Sequence, residues 1–250
     1  MKRPQIPLNA KDGRPLPKYY RLQALILRDI ERGSLGPGSM IQPERRLVES
    51  YGVSIGTVKK AILNLVNEGY LYRIQGKGTF VTGTTLRRES LRYYRLLGRF
   101  GDEEKELSVH LTDLRKISGF QPANSYLQIK PTQDLFELKR IFFLNNTPVV
   151  FSVSYLPALL FLDIDKIPAP HFEQKTLYAT IEDMFGLPTI YNRELIGAGL
   201  PPAETARLLR VQKNRPVLFI EMLSFTYRDR PYEYRQAYCV TDSRKIFRQY

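Results

Sequence analysis

Lysines and small polar side chains are concentrated in one short stretch of the chain. Residues 54–60 read Ser-Ile-Gly-Thr-Val-Lys-Lys, and Arg45 and Lys77 lie on either side of them. Lysine binds phosphate oxygens, and small side chains let a backbone come close to the edges of bases. These residues predict contact with a nucleic acid rather than bond making or breaking, provided that the local structure displays them on one surface.

The charge distribution favours the same chemistry. The chain has 250 residues and a formal net charge of +13 at pH 7. Residues 1–90 hold 16 of the 38 Lys and Arg residues but only seven of the 25 Asp and Glu residues. A basic first third and a nearly balanced remainder predict a polyanion-binding domain followed by a domain with a different partner. On charge alone, a basic surface that serves only solubility is the alternative.

The composition excludes several other classes of protein. Cys239 is the only cysteine, and His110 and His171 are 61 positions apart, so we expect neither an intrachain disulfide nor a metal site. No cofactor is expected either. No apolar run reaches the ~20 residues that a membrane-spanning helix requires, and residues 1–18 lack the apolar stretch of a signal peptide. These observations predict a cytoplasmic protein with no membrane partner.

Three helices are predicted in the basic region. Apolar residues recur at helical spacing over residues 19–32. Pro43 suits the first position of a second helix over residues 43–51, and a glycine follows that helix. Ser54 is a good N-cap for a third helix, which Gly69 closes. Two helices joined by a three-residue turn containing glycine are typical of a helix-turn-helix, whose second helix reads DNA.

The third helix has two different faces. One face is an apolar stripe at helical spacing, formed by Val58, Ala61, Ile62, Leu65 and Val66. The opposite face and its flanks carry Gly56, Thr57, Lys59, Lys60, Leu63, Asn64 and Asn67. Such a helix can enter a major groove about 12 Å wide. The alternative is an ordinary helical hairpin whose lysines only keep its surface hydrated.

A hairpin predicted after this helix favours the DNA-binding interpretation. Residues 71–74 and 79–82 alternate like short strands, and residues 75–78 between them form a tight, basic tip. This arrangement predicts a wing. The two glycines of the tip let its backbone approach a phosphate or the minor groove, while Arg73 and Lys77 supply positive charge.

About sixty consecutive residues resemble one protein family. The resemblance is carried by residues 33–35, 38–46 and 51–59, by Glu68-Gly69-Tyr70-Leu71 and by Gly76-Lys77-Gly78-Thr79-Phe80-Val81. This run resembles the winged helix-turn-helix of GntR-family bacterial transcription regulators. The resemblance implies that Arg45 and Thr57 contact phosphates or base edges, that Lys59 reaches the groove and that residues 76–78 address the minor groove. For Arg45, an ion pair with a nearby acid is the alternative.

Together with the exposed face of the third helix, the resemblance defines one set of expected contacts with double-stranded operator DNA. The predicted DNA-binding residues are Arg45, Ser54, Gly56, Thr57, Lys59, Lys60, Gly76, Lys77 and Gly78.

Two departures from the family pattern affect this prediction. Where the family usually has Leu-Pro-Ser-Glu-Arg, residues 41–45 read Ile-Gln-Pro-Glu-Arg, so the serine cap of the second helix is missing. Ile55 replaces the arginine that usually follows Val-Ser. Arginine binds guanine through two hydrogen bonds and isoleucine cannot, so a contact worth roughly 1 to 3 kcal/mol of base discrimination is missing. We therefore expect an operator that differs from the family's usual one.

The rest of the chain is predicted to fold separately. The expected domains are an N-terminal arm (1–18), the winged helix-turn-helix (19–82), a linker region (83–104) in which residues 91–101 are predicted to be helical, and a mixed α+β domain (105–250). Strands of this last domain are expected over residues 125–129, 136–144, 149–156, 191–199, 217–227 and 233–240. Helices are expected over residues 176–185, with Leu177, Ile181 and Met184 inward, and from Pro201 onward.

The second domain resembles the UTRA effector-binding domain of the HutC-type branch of the GntR family. The resemblance is carried by Leu138-Lys139-Arg140, Pro148, Ser154-Tyr155-Leu156-Pro157, Thr176-Leu177-Tyr178, Phe185-Gly186 and Pro231-Tyr232-Glu233. It implies a chorismate lyase-like antiparallel-sheet fold, a small-molecule pocket and dimerisation through this domain. The predicted effector-binding residues are Arg140, Ser152, Thr176, Tyr178 and Glu233.

Each of these residues also has a structural interpretation. Arg140 lies in an apolar strand, so it is either a ligand clamp for an anion or half of an internal ion pair. Thr176 begins a helix, where it either binds an anion or only caps the helix. Glu233 accepts hydrogen bonds from a ligand or pairs with Arg235.

The pocket also departs from the family pattern. Relatives often carry a second arginine where this chain has Phe142 and a glutamate where it has Ser152. We therefore do not expect the usual sugar-phosphate effector, because a more apolar or aromatic ligand fits Phe142, Phe143 and Phe151 better.

These observations predict a homodimeric transcription regulator, and a repressor in particular, whose operator affinity depends on an effector. One alternative is a chorismate lyase-like enzyme fused to a DNA-binding head, because a fold does not settle function. No nucleophile motif, metal ligands or phosphate-binding loop supports it. A nonspecific architectural DNA binder is another alternative, for which the large second domain would be superfluous.

Overall fold

The structure is a computed structural model, and it describes residues 17–31, 33–83, 96–102, 107–242 and 244–246. The chain divides into two compact units, Met1–Leu86 and Arg87–Tyr250. The predicted arm before residue 17, the linker and helix over residues 84–95 and the acidic residues 103–104 lie outside the described residues.

The first unit consists of three helices and a two-stranded hairpin. These elements are α1 (Lys18–Glu31), α2 (Glu44–Tyr51), α3 (Ile55–Asn67), β1 (Leu71–Ile74) and β2 (Gly78–Val81). The three predicted helices and the predicted wing are thus confirmed. The second helix begins one residue later than Pro43, which is its N-cap and provides no side-chain cap hydrogen bond.

The helices of this unit pack around the apolar stripe of α3. Val58, Ala61, Ile62 and Leu65 are completely buried. Helix α1 packs against α3 and has its own buried apolar stripe, which contains Leu22, Ile26, Leu27 and Ile30. Because burying a side chain of this size contributes about 1.5 to 3 kcal/mol, this packing fixes which face of α3 turns outward.

The second unit is built on one large sheet. Its strands are β3 (Leu96–Leu97), β4 (Ser108–Ile117), β5 (Leu135–Leu144), β6 (Thr147–Pro157), β7 (Tyr191–Gly199), β8 (Val217–Thr226), β9 (Arg230–Cys239) and β10 (Lys245–Ile246). Its helices are α4 (Ala123–Tyr126), α5 (Pro170–Glu173), α6 (Leu177–Phe185) and α7 (Ala203–Leu208). Six strands form an antiparallel sheet in the order β4-β5-β6-β9-β8-β7, and β3 pairs with β10.

The two faces of the six-stranded sheet are covered by different helices. On the face that we call the α6 face, Leu138, Leu156 and Met222 pack against Leu177 and Ile181. The opposite face, which we call the α7 face, is covered by α4, α7 and the residues that follow α7. Its core contains Ile141, Phe151, Tyr155 and Tyr234 together with Ala123 and Leu209. Alternation along β5 and β6 therefore separates Leu138 and Leu156 on the α6 face from Ile141 and Phe151 on the α7 face.

Three sequence predictions in the second unit are wrong. Residues 125–129 form the end of α4 and a turn rather than a strand. Leu96–Leu97 is not helical but forms β3, whose partner lies near the end of the chain. Met184 is half exposed instead of turning inward with Leu177 and Ile181.

Candidate nucleic-acid interface and effector site

The side chain of Ser54 fixes the start of α3. Its Oγ accepts a hydrogen bond from the backbone N–H of Thr57 at 3.2 Å and lies 2.9 Å from the Thr57 Oγ1. Both hydroxyl groups predicted to contact DNA therefore also stabilise the first turn of the helix. From this turn onward, the exposed face of α3 presents Ile55, Gly56, Lys59, Lys60 and Leu63.

Two polar residues of α3 also contact α1. The Nζ of Lys60 lies 4.2 Å from the centroid of the Tyr19 ring, which is a favourable cation–π distance. The side chain of Asn64 donates to the Gln23 Oε1 at 3.2 Å, and Gln23 donates in turn to Glu68 at 2.7 Å. Asn64 thus helps to hold α3 against α1, and Lys59 is the lysine whose exposed side chain is most clearly available to a partner.

The arginines of α2 differ in their contacts. Arg46 pairs with Glu49 one helical turn later at 3.2 Å, with both side chains exposed. Arg45 is exposed and forms no ion pair among the described residues, so its charge is not offset by a neighbouring acid in this part of the chain.

Two basic residues, Arg73 and Lys77, are predicted in the wing, and the structure gives Arg73 an acidic partner. Arg73 lies 3.3 Å from the carboxylate of Glu44 at the start of α2, so in the absence of DNA its charge is paired, and its predicted contribution of positive charge to DNA binding stays a prediction. Lys77 is exposed at the tip of the hairpin. Gly76 and Gly78 have φ angles of 74° and 138°, which residues with a Cβ rarely adopt, so the shape of this tip depends on glycine.

Polar side chains are buried on the α6 face of the sheet, in a group that we call the polar cluster. It consists of Arg140, Ser152, Ser154, Tyr178, Glu233 and Arg235, all of which are buried. Arg140 is directly opposite Ser152 in the register of β5 and β6, and Ser154 is opposite Arg235 in the register of β6 and β9. Three neighbouring strands and α6 thus bring together four of the five predicted effector-binding residues.

Glu233 and Arg235 form an ion pair within this cluster. The Arg235 Nη2 lies 2.7 Å from the Glu233 Oε1, and the Arg235 Nε donates to the same oxygen at 2.8 Å. Ser224 donates to the other Glu233 oxygen at 3.0 Å. Of the two interpretations of Glu233, the pairing with Arg235 is therefore the one that the structure shows.

Arg140 has an aromatic neighbour on its own strand. Its guanidinium carbon lies 5.3 Å from the centroid of the Phe142 ring, on the same face of the sheet. Phe142 belongs to a core that also contains Leu96 of β3. The hydroxyl of Ser152 is buried beside Arg140 and has no hydrogen-bond partner among the described residues. A buried donor without a partner is costly, which marks this position as one that a ligand could satisfy.

The two predicted residues of α6 have different surroundings. Thr176 is exposed, and its Oγ1 accepts a hydrogen bond from the Ala179 N–H at 3.1 Å, as the capping interpretation predicts. Tyr178 is buried within the polar cluster, where its ring lies 5.1 Å from the guanidinium carbon of Arg235.

The apolar part of the predicted pocket is partly wrong. Phe143 and Phe151 belong to the core on the α7 face, so they cannot line a site together with Arg140 and Phe142. The sequence pattern does not place Arg235 and Ser154 in the polar cluster with Arg140, although the structure does. Alternation along β9 could have identified Arg235, because it lies two residues after Glu233 and therefore on the same face.

The residues that the structure describes contain no group of three or more His, Cys, Asp or Glu side chains able to hold a metal ion. None of the helices among them has both the length and the apolar character needed to cross a bilayer.

Comparison with known proteins identifies relatives of both units. Residues 18–81 match the family of bacterial regulatory proteins named gntR, and residues 103–245 match the UTRA domain. The HTH-type transcriptional regulator YurK of Bacillus subtilis is 31% identical over 223 residues, which cover 88% of this chain and 90% of YurK. The HTH-type transcriptional repressor NagR of the same organism is 26% identical, with 92% of this chain and 93% of NagR covered.

A solved structure shows the same fold. PhnF from Mycobacterium smegmatis superposes with a TM-score of 0.51 at 19% sequence identity, covering 88% of this chain and 95% of PhnF. YurK and NagR are named as a transcriptional regulator and a transcriptional repressor, so they give the lyase alternative no support.

Proposed function

This chain belongs to the GntR family of bacterial regulatory proteins and carries a UTRA domain, and from this membership we propose how it controls transcription. It is a DNA-binding transcription regulator with an effector domain, not an enzyme. In our proposal it is a homodimeric repressor that acts on chromosomal DNA in the bacterial cytoplasm. Each protomer reads half of an operator with α3 and the wing, and an anionic small molecule bound at the polar cluster changes the affinity for that operator.

The exposed face of α3 is the observation that carries the DNA-binding part of the proposal. The fully buried stripe fixes the orientation of the helix, and Ser54 caps its first turn through Thr57, so Gly56, Thr57 and the backbone of Lys59 are held in place before DNA binds. Preorganised side chains lose little conformational entropy on binding. Arg45 on α2 and Lys77 on the wing lie outside α3 and would contact phosphates on either side of the groove.

Selection of duplexes from a random library by the full chain tests this part. We expect a nearly palindromic sequence with half-sites about one helical turn, or 34 to 36 Å, apart. Lys59→Ala should weaken binding to that sequence at near-physiological salt, whereas Lys213→Ala, at an exposed lysine of the second unit, should not. Retention without any sequence preference would instead favour an architectural role.

The outer edge of strand β7 supports a homodimer formed by the second unit. This nine-residue edge exposes the apolar side chains Leu195 and Ile196, and Leu200 follows directly. The other edge strand, β4, contains a register shift, and its Leu111 N–H donates to the Glu173 carboxylate at 2.9 Å. Because β4 is interrupted and capped while β7 is regular and apolar, β7 is the edge suited to pair with a second copy.

Sedimentation of edge variants tests the dimer. Leu195→Lys with Ile196→Lys should produce monomers and weaken operator binding, because both half-sites can no longer be held together. The matched control is Leu159→Lys, which places a lysine at an exposed leucine in the loop after β6. A dimer that persists in the edge variant would rule out this surface.

The effector part of the proposal is supported by the charge and burial within the polar cluster. Arg140 is only 3% exposed, and the adjacent Ser152 hydroxyl has no hydrogen-bond partner among the described residues. A guanidinium and a hydroxyl side by side can hold a carboxylate or phosphate through charge-assisted hydrogen bonds. Phe142 at the same place favours a ligand with an apolar or aromatic portion.

A thermal-shift panel tests the effector site with defined probes. We expect an aromatic carboxylate to stabilise the chain more than inorganic phosphate or an amino-sugar phosphate does, and Arg140→Met to abolish the shift. Tight binding of the amino-sugar phosphate would overturn the preference for an apolar ligand.

A further inference from the structure

The exposed face of α3 begins with an apolar side chain. Ile55 is the first residue of the helix and is 44% exposed. The first turn of α3 contains no acidic residue, so no carboxylate lies there to repel a phosphate. The N-terminal residues of a recognition helix are the ones that contact base edges, so an exposed isoleucine here faces the part of the groove where sequence is read.

Ile55 has the longest exposed side chain in the first turn of α3. The hydroxyls of Ser54 and Thr57 are hydrogen-bonded to each other and to the helix backbone. Gly56 has no side chain, and a Cβ built there would meet only the Ser54 Oγ, at 4.0 Å. Val58 is completely buried. The next long exposed side chain on this face is Lys59, one helical turn further on.

The chemistry of the major groove offers one apolar partner to such a side chain. The edges of guanine, cytosine and adenine present hydrogen-bond donors and acceptors, whereas thymine also presents its C5-methyl group. An isoleucine pressed against a donor or acceptor would remove that group from water without replacing its hydrogen bond. An isoleucine held against the major groove would therefore favour thymine by contact and disfavour the other bases by desolvation.

We propose that Ile55 is a specificity-determining residue that contacts the C5-methyl group of one thymine in each operator half-site. This inference rests on the proposed function, because it requires α3 to enter the major groove. It also states how the operator should differ from the family's usual one. The base that faces Ile55 should be thymine, whereas an arginine at this residue would favour guanine.

Deoxyuridine substitution tests the contact, because it removes the methyl group and leaves base pairing intact. The full chain first selects its preferred duplex from a random library. Each thymine of that duplex is then replaced by deoxyuridine, symmetrically in both half-sites, and affinity is measured by fluorescence anisotropy at fixed salt. One symmetric replacement should weaken binding by about tenfold, since each lost methyl contact is worth about three- to fourfold.

The variant Ile55→Ala separates this contact from other effects of the methyl group. Ile55 is partly exposed and lies outside the buried stripe, so the variant should fold, which circular dichroism and thermal melting verify. In Ile55→Ala, the same replacement should change affinity less than twofold. Lys59→Ala, the control at the neighbouring exposed position, should keep the methyl dependence while binding more weakly overall.

Two results would overturn the inference while leaving the proposed function intact. One is specific binding in which no thymine shows methyl dependence, and the other is a methyl dependence that is equal in wild type and Ile55→Ala. Failure to select any preferred duplex would contradict the proposed function itself, so the two failures are distinguishable.

Discussion

Glu233 and Arg235 form an ion pair in which the Arg235 Nη2 lies 2.7 Å from the Glu233 Oε1 and both side chains are buried. Removing one partner leaves the other charge buried without its ion-pair partner. We expect Glu233→Gln to destabilise the second unit by about 3 to 5 kcal/mol, measured by urea denaturation followed by circular dichroism.

An exposed ion pair provides the control for this prediction. Lys175 and Asp183 lie 2.8 Å apart, with both side chains about half exposed. Asp183→Asn should cost no more than about 1 kcal/mol, because water screens and solvates the remaining lysine. Equal losses in the two variants would show that the buried pair does not depend on mutual compensation.

Ser152 and Ser154 should respond to substitution in opposite ways. The Ser152 hydroxyl has no hydrogen-bond partner among the described residues, so Ser152→Ala should leave the melting temperature unchanged or raise it. The same variant should lose most of the thermal shift produced by the strongest anionic probe of the panel. Ser154 accepts a hydrogen bond from the Arg235 Nε at 3.2 Å, so Ser154→Ala should destabilise the protein by about 1 kcal/mol. An unchanged ligand response in Ser152→Ala would place the effector elsewhere.

Lys77 should contribute to DNA affinity through charge alone. It is exposed at the wing tip, whereas Arg73 nearby is paired with Glu44. Lys77→Ala should weaken binding to the selected operator and to random duplex by a similar factor. It should also reduce the slope of log affinity against log salt concentration by about 1, as expected for the loss of one phosphate contact. Arg73→Ala should change this slope less, and an equal change would mean that Arg73 leaves Glu44 when DNA binds.

The first unit could be predicted closely from the sequence because its helices are defined by nearby residues. Ser54 caps α3 through a bond to Thr57, three residues away, and the buried stripe repeats at helical spacing. Glycine at position 52 has a φ of 59°, as the expected helix break requires. Whether Arg73 meets Glu44 depends instead on how the wing packs beside α2, and no local pattern contains that information.

The errors in the second unit arise from contacts between distant parts of the chain. Leu96–Leu97 is a strand because Lys245–Ile246 pairs with it, and neither segment has a pattern long enough to reveal the other. Phe143 and Phe151 lie in apolar runs, in which burial on both faces of the sheet hides the alternation that would assign each side chain to a face. Arg140 could be predicted because it is unusual within an apolar strand, and Glu233 because it belongs to the family resemblance, whereas Ser154 becomes part of the polar cluster only through the register of β6 and β9.

Three buried or half-buried tyrosines on the α7 face should make the stability of the second unit fall at high pH. Burial raises the pKa of Tyr155, Tyr234 and Tyr238 above the ordinary value of 10.0, and the hydrogen bond from Tyr234 to Glu221 raises the pKa of Tyr234 further. The folded chain therefore holds these phenol protons more tightly than the unfolded chain. The stability of the folded chain is therefore unaffected by the ionisation of these phenols below about pH 10. Above about pH 10 the free energy of unfolding falls progressively, because the phenols ionise in the unfolded chain before they ionise in the folded chain.

The expected loss is up to about 1.4 kcal/mol per pH unit for each phenol that ionises only in the unfolded chain. Urea denaturation at a series of pH values from about 9 to 11 measures it. Tyr155→Phe should make the decline with pH shallower, because phenylalanine keeps the ring packing and removes one titrating group. Tyr126→Phe, at an exposed tyrosine beside Tyr234, should preserve the wild-type decline. If the free energy of unfolding fell equally with pH in Tyr155→Phe and in the wild type, the buried phenol of Tyr155 would not be a source of the pH dependence, whatever other groups titrate in this range.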